Sequence, residues 1–309
     1  MRPLFPILCA LVTAAAPRVP LAAQPTQSAS PTMTRSQSLE DRRWPLAPDG
    51  AVKIFNFVGR VHVVGWDRDT VAVSVALRPG QRLFGGGSRS AVKLGVEGDA
   101  RGAESAVSLE VRVPAGANVW VRGAATDIEV RGLIGTVDLG TVSGRVLVTG
   151  SPKLLTAESM NGALYVRGSP EMLRAKTAAG DLTWEGSARD AHLVSVSGAV
   201  HVRSGPLERV RVESVTGHVR IDASLRPDAH VTVETHSGDV EVRLPPRAPL
   251  RLDADAATVT LPGVTPRTRP DGRFAGPNTF EFNVTKPPSI APTVIVRTFT
   301  GRLVLGFAR

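Results

Sequence analysis

Apolar and polar residues alternate with a period of two through much of the chain after residue 50. In "SVSGAVHVRS" (195–204), Val200 and Val202 are apolar, while His201 and Arg203 are polar. Side chains on a strand point alternately to opposite faces, so this alternation predicts short strands with one buried face. Helical repeats are disfavoured because the apolar spacing is two rather than 3.6 and β-branched residues dominate.

A glycine marks each copy of this pattern and returns at a regular interval. The spacings between the first six markers are 18, 18, 18, 19 and 21 residues. A fixed period near 20 indicates a repeat architecture, in which successive turns of a coil stack as parallel strands about 4.8 Å apart. We expect each marker glycine to supply the positive φ of a tight corner. The markers are Gly144, Gly162, Gly180, Gly198, Gly217, Gly238 and Gly301.

A hydroxyl residue stands three positions before the glycine in every copy. Its place in the alternation points it inward, so we expect each hydroxyl to bond the same position in the turns above and below. This hydroxyl ladder is predicted to be structural. Its members are Thr141, Ser159, Thr177, Ser195, Ser214, Thr235 and Thr298.

Together these patterns predict one all-β domain over 49–309, a parallel β-helix or β-solenoid with coils of about 18 residues and a right-handed turn. A transmembrane barrel would need strands of about ten residues and aromatic girdles, whereas aromatic residues make up 5% of this chain. A left-handed triangular coil would show three six-residue subrepeats, and each copy here has two unequal halves. We expect loops at 78–90 and 261–280, a closing coil at 293–307, and caps at 49–60 and 300–309.

The N-terminus has the features of an export signal. Arg2 is followed by the apolar stretch 4–16, and small residues before Ala23 offer a cleavage site. Residues 1–23 are therefore predicted to be a signal peptide, and 24–48 a flexible leader rich in Ser, Thr and Pro. Cleavage would remove Cys9, the only cysteine, and leave no transmembrane segment. We expect a periplasmic, surface or extracellular protein.

Three stretches of the sequence resemble a family of exported bacterial β-solenoid domains known as putative adhesins. The resemblance rests on "NFVGRVHVVGWDRDTVAV" (56–73), on "LEVRVPAGANVWV" (109–121) and on the serial copies. It covers about 49–309. It implies a parallel β-helix outside the cytoplasm, and it carries no established activity and no catalytic residues.

The net charge is +9, and only five of the 37 basic residues are lysine. Such a charge attracts anionic partners. Five residues after the marker, arginines recur and alternate with acidic residues from Arg167 onward. This pattern predicts a salt-bridge ladder on a solvated face, or alternatively a binding strip for an acidic glycan. The strip consists of Arg131, Arg167, Arg203 and Arg243.

Parallel β-helices also include polysaccharide-cleaving enzymes, which need two carboxylates in one cleft. Asp239 and Glu241 share a face of one predicted strand, as do Asp127 and Glu129. Any exposed strand of alternating charges gives such a spacing, so we predict no catalytic residues. His201 and His218 lie on adjacent turns without a third ligand, so we predict no metal site and no cofactor.

The sequence thus favours an exported, non-enzymatic solenoid that acts as a binding, adhesion or scaffold surface at the cell envelope. The expected partner is an acidic glycan or an envelope protein, and not nucleic acid. Two alternatives stay open. One is a carbohydrate-active enzyme, either a lyase or a glycosidase, and the other is a periplasmic partner of an envelope-stress regulator.

Overall fold

A computed structural model describes residues 38–98, 105–268, 278–284 and 291–308 of the chain. The signal peptide predicted at 1–23 and most of the predicted leader lie outside these residues. All regular elements of the described part, apart from single turns, are β-strands, and they form one continuous hydrogen-bonded sheet. The all-β, solenoid-like fold expected from the repeats is confirmed.

The strands stack in two columns, which we call column A and column B. Most turns of the chain contribute one strand to each column, and four long strands bend from one column into the other. Column A contains, in stacking order, β4 (Arg82–Gly87), β5 (Ala91–Glu97), the first half of β2 (Ala51–Trp66), the first half of β7 (Asn118–Arg131), β8 (Thr136–Thr141), β10 (Leu154–Ser159), β12 (Met172–Thr177), β14 (Asp190–Ser195), the second halves of β15 (Val200–Ser214) and β16 (Val219–Thr235), β22 (Thr293–Thr298), β18 (Leu250–Asp255) and β21 (Thr279–Phe282).

Column B contains the other halves of the four long strands together with the remaining elements. In stacking order these are β1 (Ser38–Pro45), β3 (Thr70–Leu77), β6 (Val107–Pro114), β2, β7, β9 (Val146–Thr149), β11 (Leu164–Arg167), β13 (Leu182–Gly186), β15, β16, β17 (Val240–Leu244), β23 (Arg302–Phe307), β19 (Thr258–Leu261) and β20 (Val264–Thr268).

The register of the parallel strands places like residues over like. Leu155 pairs with Leu173, and Leu173 pairs with Ala191. In column B, Val148 pairs with Val166, and Val166 pairs with Trp184. The inward rows of both columns belong to one buried apolar cluster, so the two columns enclose a single core whose hydrophobic burial stabilises the fold.

At both ends the stacking order departs from the order of the sequence. The predicted closing coil is not the last one, because β22 lies between β16 and β18 and β23 lies between β17 and β19. At the other end, β2 lies between β7 and the pair β5 and β6. The described residues of the caps predicted at 49–60 and 300–309 therefore belong to interior coils.

Antiparallel strands end the parallel stack instead. β1 pairs with β3, β3 with β6 and β4 with β5 at one end, and β20 and β21 pair with β19 and β18 at the other. A parallel stack leaves open strand edges at its ends, and a returning strand covers such an edge. The expected loops 78–90 and 261–280 thus contain end strands, and residues 269–277 lie outside the described residues.

The predicted leader, 24–48, is also partly structured. Residues 38–45 form β1, which pairs with β3 along its whole length, from Ser38 opposite Leu77 to Pro45 opposite Thr70. Leu46, directly after β1, is fully buried. The composition of the segment suggested a flexible linker, but the ordered domain already includes residue 38 because this strand covers a sheet edge.

The marker glycines serve close packing between rungs, which corrects the expected positive φ. None of the seven markers has a positive φ, whereas the second glycine of several copies does, as at Gly168 (146°). At Gly162 an added Cβ would lie 1.8 Å from the carbonyl oxygen of Gly144 in the preceding rung. Glycine is therefore required at the marker because neighbouring backbones approach too closely for any side chain.

The hydroxyl ladder is buried as expected, but its hydrogen bonds differ from the expectation. Six of the seven hydroxyls bond backbone groups at the corner, not each other, and the buried Thr177 hydroxyl has no hydrogen-bond partner among the described residues. The Ser159 hydroxyl accepts a hydrogen bond from the Gly162 N–H (2.8 Å), and the Ser195 hydroxyl donates to the Gly198 carbonyl (2.7 Å). At the corner, where the chain turns from column A to column B, the hydroxyl thus supplies a hydrogen-bond partner to a backbone group of the marker glycine.

Replacing Ser195 by Val should destabilise the protein by about 1–2 kcal/mol, because a buried carbonyl loses its hydrogen-bond donor. Denaturant unfolding measures this difference. The exposed Ser197 in the same corner is the matched control, and its replacement by Val should change stability by less than about 0.5 kcal/mol. Equal effects of the two substitutions would show that the buried hydroxyl has no special structural role.

Candidate functional site

The predicted arginine strip lies in one row on the outward surface of column B. The register aligns Arg131, Arg167, Arg203 and Arg243 with intervening residues that include Glu185 and Asp222. The outward surface of column A lies on the opposite side of the core.

Each arginine of this strip already has a carboxylate partner. Arg131 pairs with Glu129, Arg167 and Arg203 both contact Glu185 at 3.0 and 3.7 Å, and Arg243 pairs with Glu241 at 2.6 Å. Exposed ion pairs of this kind contribute little to stability, but they neutralise the row. The strip therefore resembles a salt-bridge ladder more than a free anionic-ligand site.

The candidate catalytic carboxylates are also engaged in ion pairs and hydrogen bonds. Asp239 accepts hydrogen bonds from the backbone N–H and the guanidinium of Arg302, at 2.8 and 2.7 Å. Glu241 contacts Arg243 and Arg220. The Arg302 hydrogen bonds hold the pKa of Asp239 below its ordinary value, whereas a general acid at neutral pH needs a raised pKa.

The second carboxylate pair is built in the same way. Asp127 accepts a hydrogen bond from the backbone N–H of Arg145 in the next rung (2.8 Å), and Glu129 pairs with Arg131. Asp181 makes the equivalent bond to Ala199 (2.9 Å). An aspartate directly after the marker position thus fixes one rung on the next, a structural role that the sequence analysis did not assign.

The Asp239–Arg302 pair makes stability dependent on pH. Since the folded-state pKa of Asp239 is lowered, its contribution is fully present above the ordinary Asp pKa of about 3.9. It is lost as the pH falls through the lowered folded-state value. Urea unfolding should therefore show the Asp239→Asn variant less stable than wild type at neutral pH, with the difference shrinking in acid. A constant difference across pH would contradict this assignment.

The histidines do not converge on a metal site. No group of three or more His, Cys, Asp or Glu side chains within the described ranges is arranged to hold a metal ion. His201 lies opposite Arg220 in the neighbouring strand, and His62 contacts Glu110 at 2.7 Å. The described part of the chain likewise contains no helix that could cross a bilayer.

A cleft that the sequence analysis missed lies on the outward surface of column A, across β12, β14, β15 and β16. It has a volume of about 490 Å³. Arg174, His192 and Arg211 follow one another in register along successive strands. Six basic residues and one acidic residue, Asp190, line this basic cleft; the basic residues are Arg174, Lys176, His192, Arg209, Arg211 and His230.

Carboxylates contact several of these cations from the rim. Arg209 lies 3.3 Å from Asp190, Lys176 lies 3.9 Å from Glu158, and Arg211 contacts Glu213 and Glu234. Burial alone would raise the pKa of Glu213, but hydrogen bonds from Arg211 and His192 lower it overall. Glu213 is therefore ionised at neutral pH and orients the Arg211 guanidinium.

Arg174 has a different environment. Its side chain is exposed, and its neighbours in the adjacent strands are Thr156 and His192. Among the residues that the structure describes, no carboxylate lies within ion-pair distance of Arg174. The cleft thus combines the unpaired Arg174 guanidinium with basic side chains on four successive strands. This arrangement suits an extended ligand with repeated negative charges.

The sequence contained a signal for this site. Arg174, His192 and Arg211 occupy the same offset in successive copies, three residues before the next hydroxyl-ladder member. This row precedes the hydroxyl ladder, whereas the arginine strip follows the marker glycine. The burial pattern of β12, with Arg174 and Lys176 exposed between buried residues, identifies it.

The fold and this surface define a class of protein: a solenoid-like, all-β repeat domain with a long exposed face and a basic cleft. The Toastrack DUF4097 family model matches residues 55–265. The chain therefore belongs to the Toastrack DUF4097 family. No curated protein matches the sequence.

Solved structures from several bacteria align with most of this chain. A protein of Bacteroides fragilis described as a putative adhesin is 13% identical, with a TM-score of 0.43 over 89% of this chain and 99% of that one. A Parabacteroides distasonis protein described as a putative lipid binding protein is 10% identical, with a TM-score of 0.41 over 88% and 97%. A putative cell adhesion protein of Clostridium sporogenes is 11% identical, with a TM-score of 0.23 over 88% and 100%. Likeness at this level carries no functional argument.

Proposed function

We propose that the protein is an exported, non-enzymatic binding surface of the cell envelope, and that its basic cleft binds an acidic glycan. The observation that carries this proposal is the excess of six basic residues over one acidic residue in the lining of the cleft. The proposal places the ligand on column A rather than on the arginine strip of column B. The right-handed, 18-residue coil remains part of the same prediction.

The geometry favours a polymer over a small molecule. The cleft is shallow and spans four neighbouring strands, which lie about 4.8 Å apart. A ligand with regularly spaced carboxylates or sulfates can meet one basic side chain on each strand. Binding of this kind depends on charge, so it should weaken as the salt concentration rises.

The enzymatic alternative has less support. Both candidate carboxylate pairs are held in ion pairs or backbone hydrogen bonds, as described above, and the pKa of Asp239 is lowered. A turnover assay on a panel of acidic polysaccharides, with Asp239→Asn and Glu241→Gln as controls, tests this alternative. Cleavage that both substitutions abolish would overturn the non-enzymatic proposal. The envelope-stress partner would be detected by pull-down from an envelope extract.

The decisive experiment compares two pairs of substitutions in affinity for an immobilised acidic polysaccharide, at low and at physiological salt. Arg174→Ala with Lys176→Ala should lower the affinity about ten-fold or more, since two charge contacts are lost. Arg131→Ala with Arg243→Ala removes the same charge from column B. This control pair should change the affinity by less than about two-fold.

The two surfaces give opposite outcomes. A larger loss in the control pair would assign the ligand to the arginine strip and contradict the proposal. An equal loss in both pairs would indicate attraction by net charge alone, with no specific cleft. Thermal unfolding of all variants should be unchanged, because the four arginine and lysine side chains are exposed.

A further inference from the structure

Exposed apolar residues recur at one corner of the fold, where the chain passes from column A to column B. The residue that follows each member of the hydroxyl ladder points outward there. Met160 is 57% exposed and Phe299 is 67% exposed, although both are apolar. We call this row the apolar ridge; from end to end it consists of Phe57, Ala124, Val142, Met160, Ala178, Val196, Val215, His236 and Phe299. Six of the nine are exposed large apolar side chains, Ala124 and Ala178 are half-buried, and His236 is polar.

The ridge is continuous through the stack. The N–H of Val142 donates to the carbonyl of Ala124, the N–H of Val196 to Ala178, and the N–H of Val215 to Val196. The rings of His236 and Phe299 stack at 5.3 Å with an angle of 10° between their planes. Phe57 stands opposite Ala124, between the pairs Asn56–Gly123 and Val58–Ala125. Nine rungs about 4.8 Å apart give a row of roughly 38 Å.

Single exposed apolar side chains are normal on a protein surface, but a contiguous row of them marks an interaction site. The stacking of the rungs does not require apolar residues at the ridge positions, because these side chains point away from the core. The neighbours on the column B side are short and mostly polar, such as Ser143, Asn161 and Ser197. The ridge therefore stands clear of its surroundings along one side.

The shape of the ridge restricts what can cover it. It is the outer edge between two columns that share one core, so it is convex. Two copies of the chain would meet edge against edge along a line, whereas a stable interface of standard size needs about 800 Å² on each side. A soft, fluid surface can mould itself around a convex edge along its whole length.

On the column A side, the positions two and four residues before the ridge carry six Lys or Arg and four Asp or Glu side chains, so this flank is basic on balance and fits an anionic lipid surface. On the column A side, Glu158 pairs with Lys176, and Glu234 contacts Arg211 and Arg297. Lys176 and Arg174 precede the ridge residue Ala178 by two and four positions, or about 7 and 13 Å along the strand. If the ridge enters the boundary of headgroups and acyl chains by about 5–10 Å, as interfacial elements do, these cations lie at headgroup level.

We propose that the apolar ridge inserts into the surface of a lipid bilayer with anionic headgroups. This surface is distinct from the floor of the basic cleft and goes beyond the proposed glycan binding. Insertion of the apolar side chains supplies most of the affinity, and the cations of column A add an electrostatic part that salt screens. The core stays intact because the ridge lies outside it.

The test is co-sedimentation of the purified protein with vesicles, with its N-terminus defined by mass spectrometry. One set of vesicles contains phosphatidylcholine alone, and the other contains equal parts of phosphatidylcholine and phosphatidylglycerol. The ridge variant carries Met160→Ser, Val196→Ser and Val215→Ser. The control variant carries three equivalent substitutions at exposed apolar residues off the ridge, Leu39→Ser, Ile134→Ser and Val304→Ser.

Wild type and the control variant should bind the mixed vesicles equally, and the ridge variant should bind about ten-fold or more weakly. Absence of vesicle binding by wild type would overturn the proposal, as would equal losses in both variants. A wild-type dimer that the ridge variant dissociates would assign the ridge to a second copy instead. The affinity of the ridge variant for the acidic polysaccharide should be unchanged. A failure of the bilayer proposal can therefore be distinguished from a failure of the glycan proposal.

Discussion

Replacing Gly162 by alanine is expected to destabilise the protein by about 3–5 kcal/mol, although alanine adds only one methyl group. The added Cβ would lie 1.8 Å from the Gly144 carbonyl oxygen and 2.8 Å from the Ser159 hydroxyl. The nearest atom belongs to the backbone, so relief requires two rungs to separate. Separation would break the parallel hydrogen bonds and open the core below them. Denaturant unfolding monitored by far-ultraviolet circular dichroism measures the loss.

Gly86 provides the matched control for this substitution. It lies in the end strand β4, and an added Cβ there would meet nothing within 4 Å. Gly86→Ala should change stability by less than about 0.5 kcal/mol. A small effect at both positions would mean that the rungs can separate without cost, and the close-packing explanation of the marker glycines would then be wrong.

Replacing Trp184 by alanine is the second substitution with a large expected effect. Trp184 is the largest fully buried side chain and interrupts an inward row that has Val166 and Val202 on either side. Its indole N–H donates to the Gly168 carbonyl at 3.4 Å. Removing the ring leaves a cavity that the stacked backbone cannot close, so we expect a loss of about 3–5 kcal/mol.

Tyr165 serves as the control, because it is an aromatic residue on the outward side of a neighbouring strand and is 40% exposed. Tyr165→Ala should cost less than about 1 kcal/mol. Trp184→Phe should recover part of the loss, since it restores volume without the N–H donor. If the alanine and phenylalanine variants at position 184 were equally unstable, the hydrogen bond and not the cavity would dominate.

Small residues belong to the same buried core as Trp184. Inward positions of column A in the neighbouring rungs are Ala157, Ala175 and Ala191, all fully or almost fully buried. Small residues on one side of a core accommodate a large residue on the other. The sequence shows each of these residues, but only the register of column A places Ala157 beside Ala175 and Ala191 beside Leu173.

The sequence by itself determined the local structure and the class of fold. Alternation with a period of two is enough to define a strand with one buried face, and a regular repeat of such strands can bury its apolar side only by stacking. The alternation points every member of the hydroxyl ladder inward, and all seven are buried. These features depend on residues close together in the chain, so a single repeat carries the information.

The tertiary structure decided the features that depend on distant segments. It placed the last coil, 293–307, inside the stack and closed both ends with antiparallel strands, because any open edge can accept whichever segment reaches it. It showed that a side chain at a marker glycine would clash with the backbone of the neighbouring rung. A single repeat does not contain that contact. It also paired the arginines of the strip with carboxylates. In the same way it brought the residues of the basic cleft, and those of the apolar ridge, next to each other. The charge and polarity of a surface depend on which side chains lie beside each other across strands, and that is fixed by the stacking register rather than by order along the chain.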